Sequence, residues 1–316
     1  MGPSGVGGGG GLAVISPWTA DEGHGALGFR LTDTRPEHRS DAELEALSER
    51  GIDAHNTDHN LNAAIGAAYG ITHELTISAE LPYVRRAKLR AAEAGDGVER
   101  LGTVSGIGDV SLLAKYRLTR GTGSGFAVIA GMKLPTGNTH KLSNDGERLE
   151  TEHQPGTGSW DPIIGAGAGT KLGTLNISAS ALYQFSGKGA QHTRLGNRLQ
   201  GGIALSHHFG DAASEHFDMH NHHHGDELDE HHDELKHSSW DAFVELGGEW
   251  EGRQKIGGDV EEASGGSWLY VAPGLRFTSA DGWSVGGALA LPIAQSIRAS
   301  HPDNRYRAMI SIGRAF

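Results

Sequence analysis

Apolar and polar positions alternate along most of this 316-residue chain. At its end, Phe316, Ile312, Ile310, Ala308 and Tyr306 fall on one face, and Ala315, Gly313, Ser311, Met309 and Arg307 on the other. A period of two is the signature of a strand with one apolar face. Similar segments recur at 25–35, 58–71, 75–87, 106–119, 125–137, 159–172, 175–187, 197–209, 239–250, 267–278, 282–293 and 304–316. Their connections are mostly short on one side (72–74, 120–124, 173–174, 280–282) and long on the other (36–57, 88–105, 138–158, 188–196, 251–266, 294–303). Twelve strands joined in this way predict an antiparallel up-and-down β-barrel that crosses a membrane, with short turns in the periplasm, long loops outside and both termini periplasmic.

The two faces differ chemically. One carries Leu61, Ala63, Ile65, Ala67 and Tyr69, then Leu75, Ile77, Ala79, Leu81 and Tyr83, and further sets of the same kind up to Leu275 and Phe277. Arg314 and His207 are the charged or titratable exceptions on it, both near strand ends. A Lys or Arg at mid-bilayer on such a face costs ~2–4 kcal/mol. Aromatic residues sort into two belts: Tyr69, Tyr116, Phe126, Phe209, Trp240, Phe277, Trp283 and Phe316 at the turn end, and Tyr83, Trp160, Tyr183, Phe185, Trp250 and Tyr306 at the loop end. Aromatic rings favour the two headgroup levels.

The opposite face is polar and predicts a lumen lined by Glu80, Asp109, Lys115, Arg117, Lys133, Asp161, Lys171, Arg198, Asp241, Glu245, Glu249, Arg276 and Arg307. Such a wall either surrounds water or closes by pairing its charges; an open or gated channel is the expectation. Gly165, Gly167 and Gly169 on this face would thin the wall or let it bend.

Composition agrees with this picture. Mean hydropathy is −0.39 and hydrophobic residues make up 37%, too few for membrane helices but compatible with strands that show only alternate residues to lipid. A net charge of −12 argues against a nucleic-acid partner. The absence of Cys excludes disulfides and thiolate metal sites. Residues 1–24 begin with a glycine-rich stretch that lacks the basic and apolar regions of a signal peptide, so the sequence is taken as one already processed. Residues 25–316 form the barrel, broken by an insertion at 210–238.

That insertion, on the turn side by parity, is the strongest chemical signal. Ten of the 19 His lie between His207 and His237, interleaved with acidic residues. Imidazole and carboxylate without thiolate suit Zn, Ni, Co or Cu. His216, His220, His222, His223, His224, Glu227, His231, His232 and His237 are the expected ligands, in several exchangeable sites with no single closed set. No cofactor is required by anything else in the chain.

The segments Glu80-Leu-Pro-Tyr-Val84, Gly106-Ile-Gly-Asp-Val-Ser-Leu-Leu-Ala-Lys-Tyr-Arg-Leu118, Lys133-Leu-Pro-Thr-Gly137 and Gly156-Thr-Gly-Ser-Trp-Asp161 occur in that order. Together they resemble the outer-membrane transporter family named for the meta-cleavage pathway of phenol degradation. The resemblance spans roughly residues 20–316 and implies a solute-conducting barrel, without fixing a substrate. The final strand also resembles the C-terminal signal of outer-membrane barrels, with Tyr306, Ile310, Ile312 and Phe316 as its outward stripe. This implies the outer membrane as location and the bilayer, lipopolysaccharide and the barrel-assembly machinery as partners.

Other features are smaller. Residues 40–50 predict a short helix capped by Ser40 or Asp41, with Leu44 and Leu47 packed on the barrel mouth. Glu147, Glu150 and Glu152 read as a solvated acidic loop, with Ca²⁺ binding or a bridge to lipopolysaccharide as the alternative. An enzyme is not expected, because adjacent strand residues such as Ser206 and His207 point to opposite faces. The functional expectation is a channel for a small solute or metal ion, with the His-rich insertion binding divalent metal. The alternatives are a channel for small organic compounds and a closed structural barrel.

Overall fold

The computed structural model describes residues 12–92, 97–119, 123–209 and 238–316. The strands are β1 (Gly25–Pro36), β2 (Ala54–Asn56), β3 (His59–Gly70), β4 (Leu75–Ala92), β5 (Val98–Ile107), β6 (Ser111–Arg117), β7 (Ser124–Lys133), β8 (Asp161–Leu172), β9 (Leu175–Gln184), β10 (Arg198–Phe209), β11 (Ser239–Glu251), β12 (Lys255–Ile256), β13 (Asp259–Val260), β14 (Gly266–Thr278), β15 (Trp283–Ile297) and β16 (Asn304–Ala315). Twelve of them build the wall: β1, β3, β4, β6 to β11 and β14 to β16. Each is antiparallel to its neighbours. Pairing of β1 with β16 closes the ring, and β6 bonds to both β4 and β7. Gly25 and Phe316 exchange two backbone hydrogen bonds, each 2.9 Å, at the end where the short turns lie.

Alternation sets which residues face outward. Ile65, Ile77, Leu81, Leu112, Val128, Leu275, Ile310 and Ile312 are all more than 40% exposed, whereas their strand neighbours Ala64, Thr76, Glu80, Leu113, Ala127, Arg276 and Met309 are buried. An apolar belt of this size is explained by a bilayer, since water would penalise it. Both aromatic belts stand on the outer surface. Trp240 and Phe277 meet at a tilt with centroids 5.0 Å apart at the turn end, and Tyr183 meets Phe185 at 4.7 Å at the loop end.

The elements depart from the predicted ones at several edges, where β7 stops at Lys133 and β15 runs on to Ile297, and most of all in one region. The expected loop at 88–105 instead continues the sheet, with β4 running to Ala92 and β5 pairing back onto it. Here Leu89 and Val104 still have an interior to face, packing with Leu149 and Leu101. The predicted strand 106–119 is interrupted between β5 and β6. A Cβ on Gly108 would lie 3.0 Å from Pro82 and 3.1 Å from the Pro155 carbonyl, so glycine lets the 155–157 loop fold in against the wall.

The loops cap one end. Helix α1 (Asp41–Ser48) starts at Ser40, whose hydroxyl accepts from the Glu43 amide while the Glu43 carboxylate accepts from the Ser40 amide. Leu44, fully buried, packs with Ala54 and Ala92 beside Leu47 and Ile52. Charged Arg90 reaches from β4 to Asp41, the Arg39 carbonyl and Asn56, tying the helix to the barrel mouth.

Candidate functional site

The lumen is filled in its turn-side half by the chain itself. Residues 12–21 run inside the barrel before entering β1 and touch the wall strands in turn. Leu12 packs with Phe243, Tyr270, Ala272, Ala290 and Met309. The amides of Ala13 and Val14 donate to the Glu245 carboxylate at 3.0 and 3.2 Å, and Ile15 donates to Ser180 Oγ at 3.0 Å. The Lys115 ammonium donates to the carbonyls of Ser16 and Trp18, and Arg117 and Lys171 lie over the Trp18 ring at 5.9 and 5.6 Å. Ala20 then donates to Thr76 Oγ1 at 2.8 Å. Leu12, Val14, Ile15 and Trp18 are each less than 10% exposed, which a water-filled barrel would not allow.

Glycines on the wall make the room. A Cβ on Gly167 would approach the Ile15 carbonyl to 3.1 Å, and one on Gly169 would meet Pro17 at 3.2 Å. The small residues on β8 are therefore a shelf for this segment.

Other wall charges pair with one another on the inner face. Arg307 reaches across two strands to grip Glu249 with both terminal nitrogens at 2.6 and 3.2 Å, Arg30 donates to Glu80 at 2.7 Å, and at the turn end His208 meets Asp241 on the neighbouring strand at 2.8 Å. Arg198 pairs with Glu251 at 3.1 Å. Arg276 is buried on the same inner face of β14.

At the loop end, Lys133 bridges Asp109 and Asp161 at 2.7 and 2.9 Å. Asp109 also accepts from the amides of Gly137 and Thr157 at 2.9 and 2.8 Å, and from the Thr157 hydroxyl at 2.7 Å. Asp161 accepts from Gln184 and the Gly187 amide. Three of the segments that carry the family resemblance, 106–118, 133–137 and 156–161, thus meet at one buried node. Two partly desolvated carboxylates sharing one ammonium are held by several hydrogen bonds, the condition under which a buried ionic group is tolerated.

Among the residues expected to line the lumen, Lys115, Arg117, Lys171 and Glu245 touch the inner segment, and Asp109, Lys133, Asp161, Glu249 and Arg307 pair with one another. Ser206 is buried inward, while His207 faces outward against Phe209 at 4.4 Å. On β16, Ile310 and Ile312 point outward and Tyr306 is half-buried, and Phe316 just past its end is exposed. The expected ligands His216, His220, His222, His223, His224, Glu227, His231, His232 and His237 lie outside the described residues.

The structure brings together another set that no sequence spacing signals. His55 on β2, Glu152 after β7 and His301 before β16 bring donor atoms together at the mouth, and His153, grouped with Glu150 and Glu152, packs against the His55 ring. The His55 ring stands edge-to-face on both His153 and His301, with centroids 4.5 and 4.3 Å away. Burial holds His55 at about 3 and His301 at about 4, and keeps His153 well below the usual imidazole value; all three are neutral at pH 7. Burial raises Glu152, which corrects the reading of that residue as part of a solvated acidic loop: its side chain is only 13% exposed.

No curated protein matches the chain. Among solved structures, the COG4313 outer membrane channel from Pseudomonas putida F1 is 16% identical over 95% of this chain and 97% of that one, with a TM-score of 0.57. The β domain of the Bordetella autotransporter BrkA aligns over 94% and 100% at 10% identity, TM-score 0.48. The NanC porin aligns over 91% and 98% at 8% identity, TM-score 0.44. The first of these, with the apolar belt and the closed twelve-strand ring, identifies an outer-membrane β-barrel. The family model described as "Putative MetA-pathway of phenol degradation" matches residues 26–247, and the chain belongs to that family.

Proposed function

We propose that this protein is an outer-membrane channel for a small solute, closed in this conformation by its own residues 12–21. The observation that carries the reading is the inner segment: it is a single short stretch of chain, anchored by a few hydrogen bonds to Glu245, Ser180, Lys115 and Thr76, on a glycine shelf that its departure would uncover. A barrel built only as a structural body would more simply fill its lumen with wall side chains. The loop end is taken as the outer face, because short turns are periplasmic in such barrels. The outward stripe Tyr306, Ile310, Ile312 and Phe316 serves as the insertion signal read by the assembly machinery.

The solute is small, and the lining favours no single charge. Apolar Leu113, Ile129 and Ile163 on the wall cluster with Ile15 of the inner segment, and the apolar patch its departure would uncover favours a small organic compound as a second reading of the cargo. Membership of a family described by phenol degradation supports that second reading, and likeness to the Pseudomonas outer membrane channel supports conduction itself. For residues 210–238 the donor chemistry supports Zn, Ni, Co or Cu binding that tunes or feeds the channel.

Recording conductance in planar bilayers tests the channel reading. The full chain should conduct rarely, and a chain lacking residues 1–21 should conduct steadily. Silence from both would leave a structural barrel. Deleting 214–237 should abolish any block by micromolar Zn²⁺ if the insertion acts on the pore, and leave conductance unchanged if it does not.

A further inference from the structure

The loop-end cluster of His55, Glu152, His153 and His301 is separate from the inner segment and from the His-rich insertion. We propose that it is a binding site for one divalent transition-metal ion of the Zn²⁺, Co²⁺, Ni²⁺ or Cu²⁺ class, with three imidazoles and one carboxylate as ligands.

The donor atoms are close to the spacing an ion needs. One donor atom each from His55, Glu152 and His301 lies within 4.8 Å of the others. His55 Nδ1 is 3.6 Å from Glu152 Oε1, and His153 Nε2 is 3.7 Å from the same oxygen. Around a tetrahedral ion with bonds of about 2.0–2.1 Å, ligand atoms sit about 3.3 Å apart. The two measured pairs on Glu152 need shifts of a few tenths of an ångström and His301 somewhat more, while the His153 ring, which groups with Glu150 and Glu152, must swing further to complete the shell. Glu152 is the natural centre of the set because its oxygen faces two of the rings.

His55 supplies an independent observation. It is 6% exposed, and both of its ring nitrogens are buried without a hydrogen-bond partner among the described residues. An unsatisfied buried polar atom costs about 1–3 kcal/mol, and this ring carries two. If the cluster were only packing, an apolar or aromatic residue in place of His55 would avoid that cost. A metal bond satisfies one nitrogen directly.

The surroundings orient the rings as metal ligands are usually oriented. Ser300 Oγ donates to the Ala263 carbonyl at 2.6 Å, so it is left to accept from His301 Nδ1 at 2.9 Å. That fixes the proton on Nδ1 and leaves the Nε2 lone pair for an ion. The His55 amide is tied to the Ser300 carbonyl at 3.0 Å, and Arg86 holds the His153 and Gln154 carbonyls at 3.3 and 3.2 Å. Neutral imidazoles are the form that binds metal, and burial favours that form here. Borderline divalent ions suit this nitrogen-rich set better than Ca²⁺ or Mg²⁺, which take oxygen ligands. An ion would join three loops that are far apart in sequence.

The test uses the full chain with the eight insertion histidines His216, His220, His222, His223, His224, His231, His232 and His237 replaced by Gln, stripped with chelator in detergent. Titration with Co²⁺ should give one tightly held ion per chain and the intense visible absorption of a four-coordinate site, displaced by one equivalent of Zn²⁺. His55→Ala and Glu152→Gln should each weaken the affinity tenfold or more. Failure of the insertion-substituted chain to hold one ion overturns the proposal even if the single variants do not fold, which heat-modified gel mobility would reveal. Retention of the ion with unchanged affinity in folded His55→Ala also overturns it. Neither result bears on conduction, so the channel reading stands or falls separately.

Discussion

The two ends of the barrel are held by different physics. At the turn end a continuous stretch of backbone lies on glycines, and its anchors are main-chain groups bonded to wall side chains. At the loop end, side chains from separate loops lock into one another: Lys133 between Asp109 and Asp161, Arg90 on Asp41, and the histidine cluster. The first closure can leave as a unit without unmaking the wall. The second shapes the mouth and cannot rearrange without breaking the buried Lys133 pairs. A plug that can leave and a mouth that keeps its shape are what gating needs, and this contrast assigns mobility to the turn end.

If the two ends differ in this way, they should respond to different perturbations. The largest effect should come from removing residues 1–21: single-channel recording should change from near silence to steady conductance, with thermal stability little altered. Next, Asp109→Ala leaves Lys133 and the Gly137 and Thr157 amides short of a partner. Removing one member of a buried pair costs about 3–5 kcal/mol, so denaturant unfolding should shift by that order while the conductance of the truncated chain persists.

Acid should loosen only the loop end. In the metal-free protein His55, His153 and His301 resist protonation when folded, whereas unfolded imidazoles bind protons near pH 6.5. Stability therefore falls as pH drops below about 6.5, until it levels near the folded values of about 4 and about 3. Glu152, raised by burial, works in the opposite sense, and Arg39, Arg86 and Glu251 add fixed charge nearby. Proteolysis of loops 36–58 and 138–158 at pH 5 against pH 7.5 reads this directly; equal cleavage would refute it.

Glu245→Gln keeps the shape but weakens the charge-assisted anchor of Ala13 and Val14. The loss is about 1 kcal/mol, a several-fold rise in open probability. Smallest is Arg198→Gln at the more exposed pair with Glu251, expected to change stability by ~0–1 kcal/mol in the same unfolding assay.

Most of the wall was legible in the sequence because a bilayer demands strict alternation. The period-two faces, the aromatic belts and the polar lumen all follow from one physical rule. The extension of β4 and β5 was hidden because it leaves the bilayer, where alternation is no longer enforced; Leu89 and Val104 find partners only once Leu149 folds over them. The inner segment was invisible for a related reason. Leu12, Val14, Ile15 and Trp18 follow a glycine run and have no strand partner in sequence; their anchors lie as far away as Glu245. Concentrated histidines in the insertion drew attention by composition, while His55, His153 and His301 are single residues in three loops. Only a closed ring, which sets residue 301 beside residue 55, makes them neighbours.

The inner segment is covalently continuous with β1, and so never leaves its own barrel. Once displaced, it stays at an effective concentration of roughly millimolar order, set by a few residues of tether. Reclosure is then a first-order event, indifferent to protein concentration and fast compared with the arrival of any free competitor. A peptide with the sequence of residues 12–21, added in trans to the truncated barrel, would have to reach a comparable concentration to plug it as well.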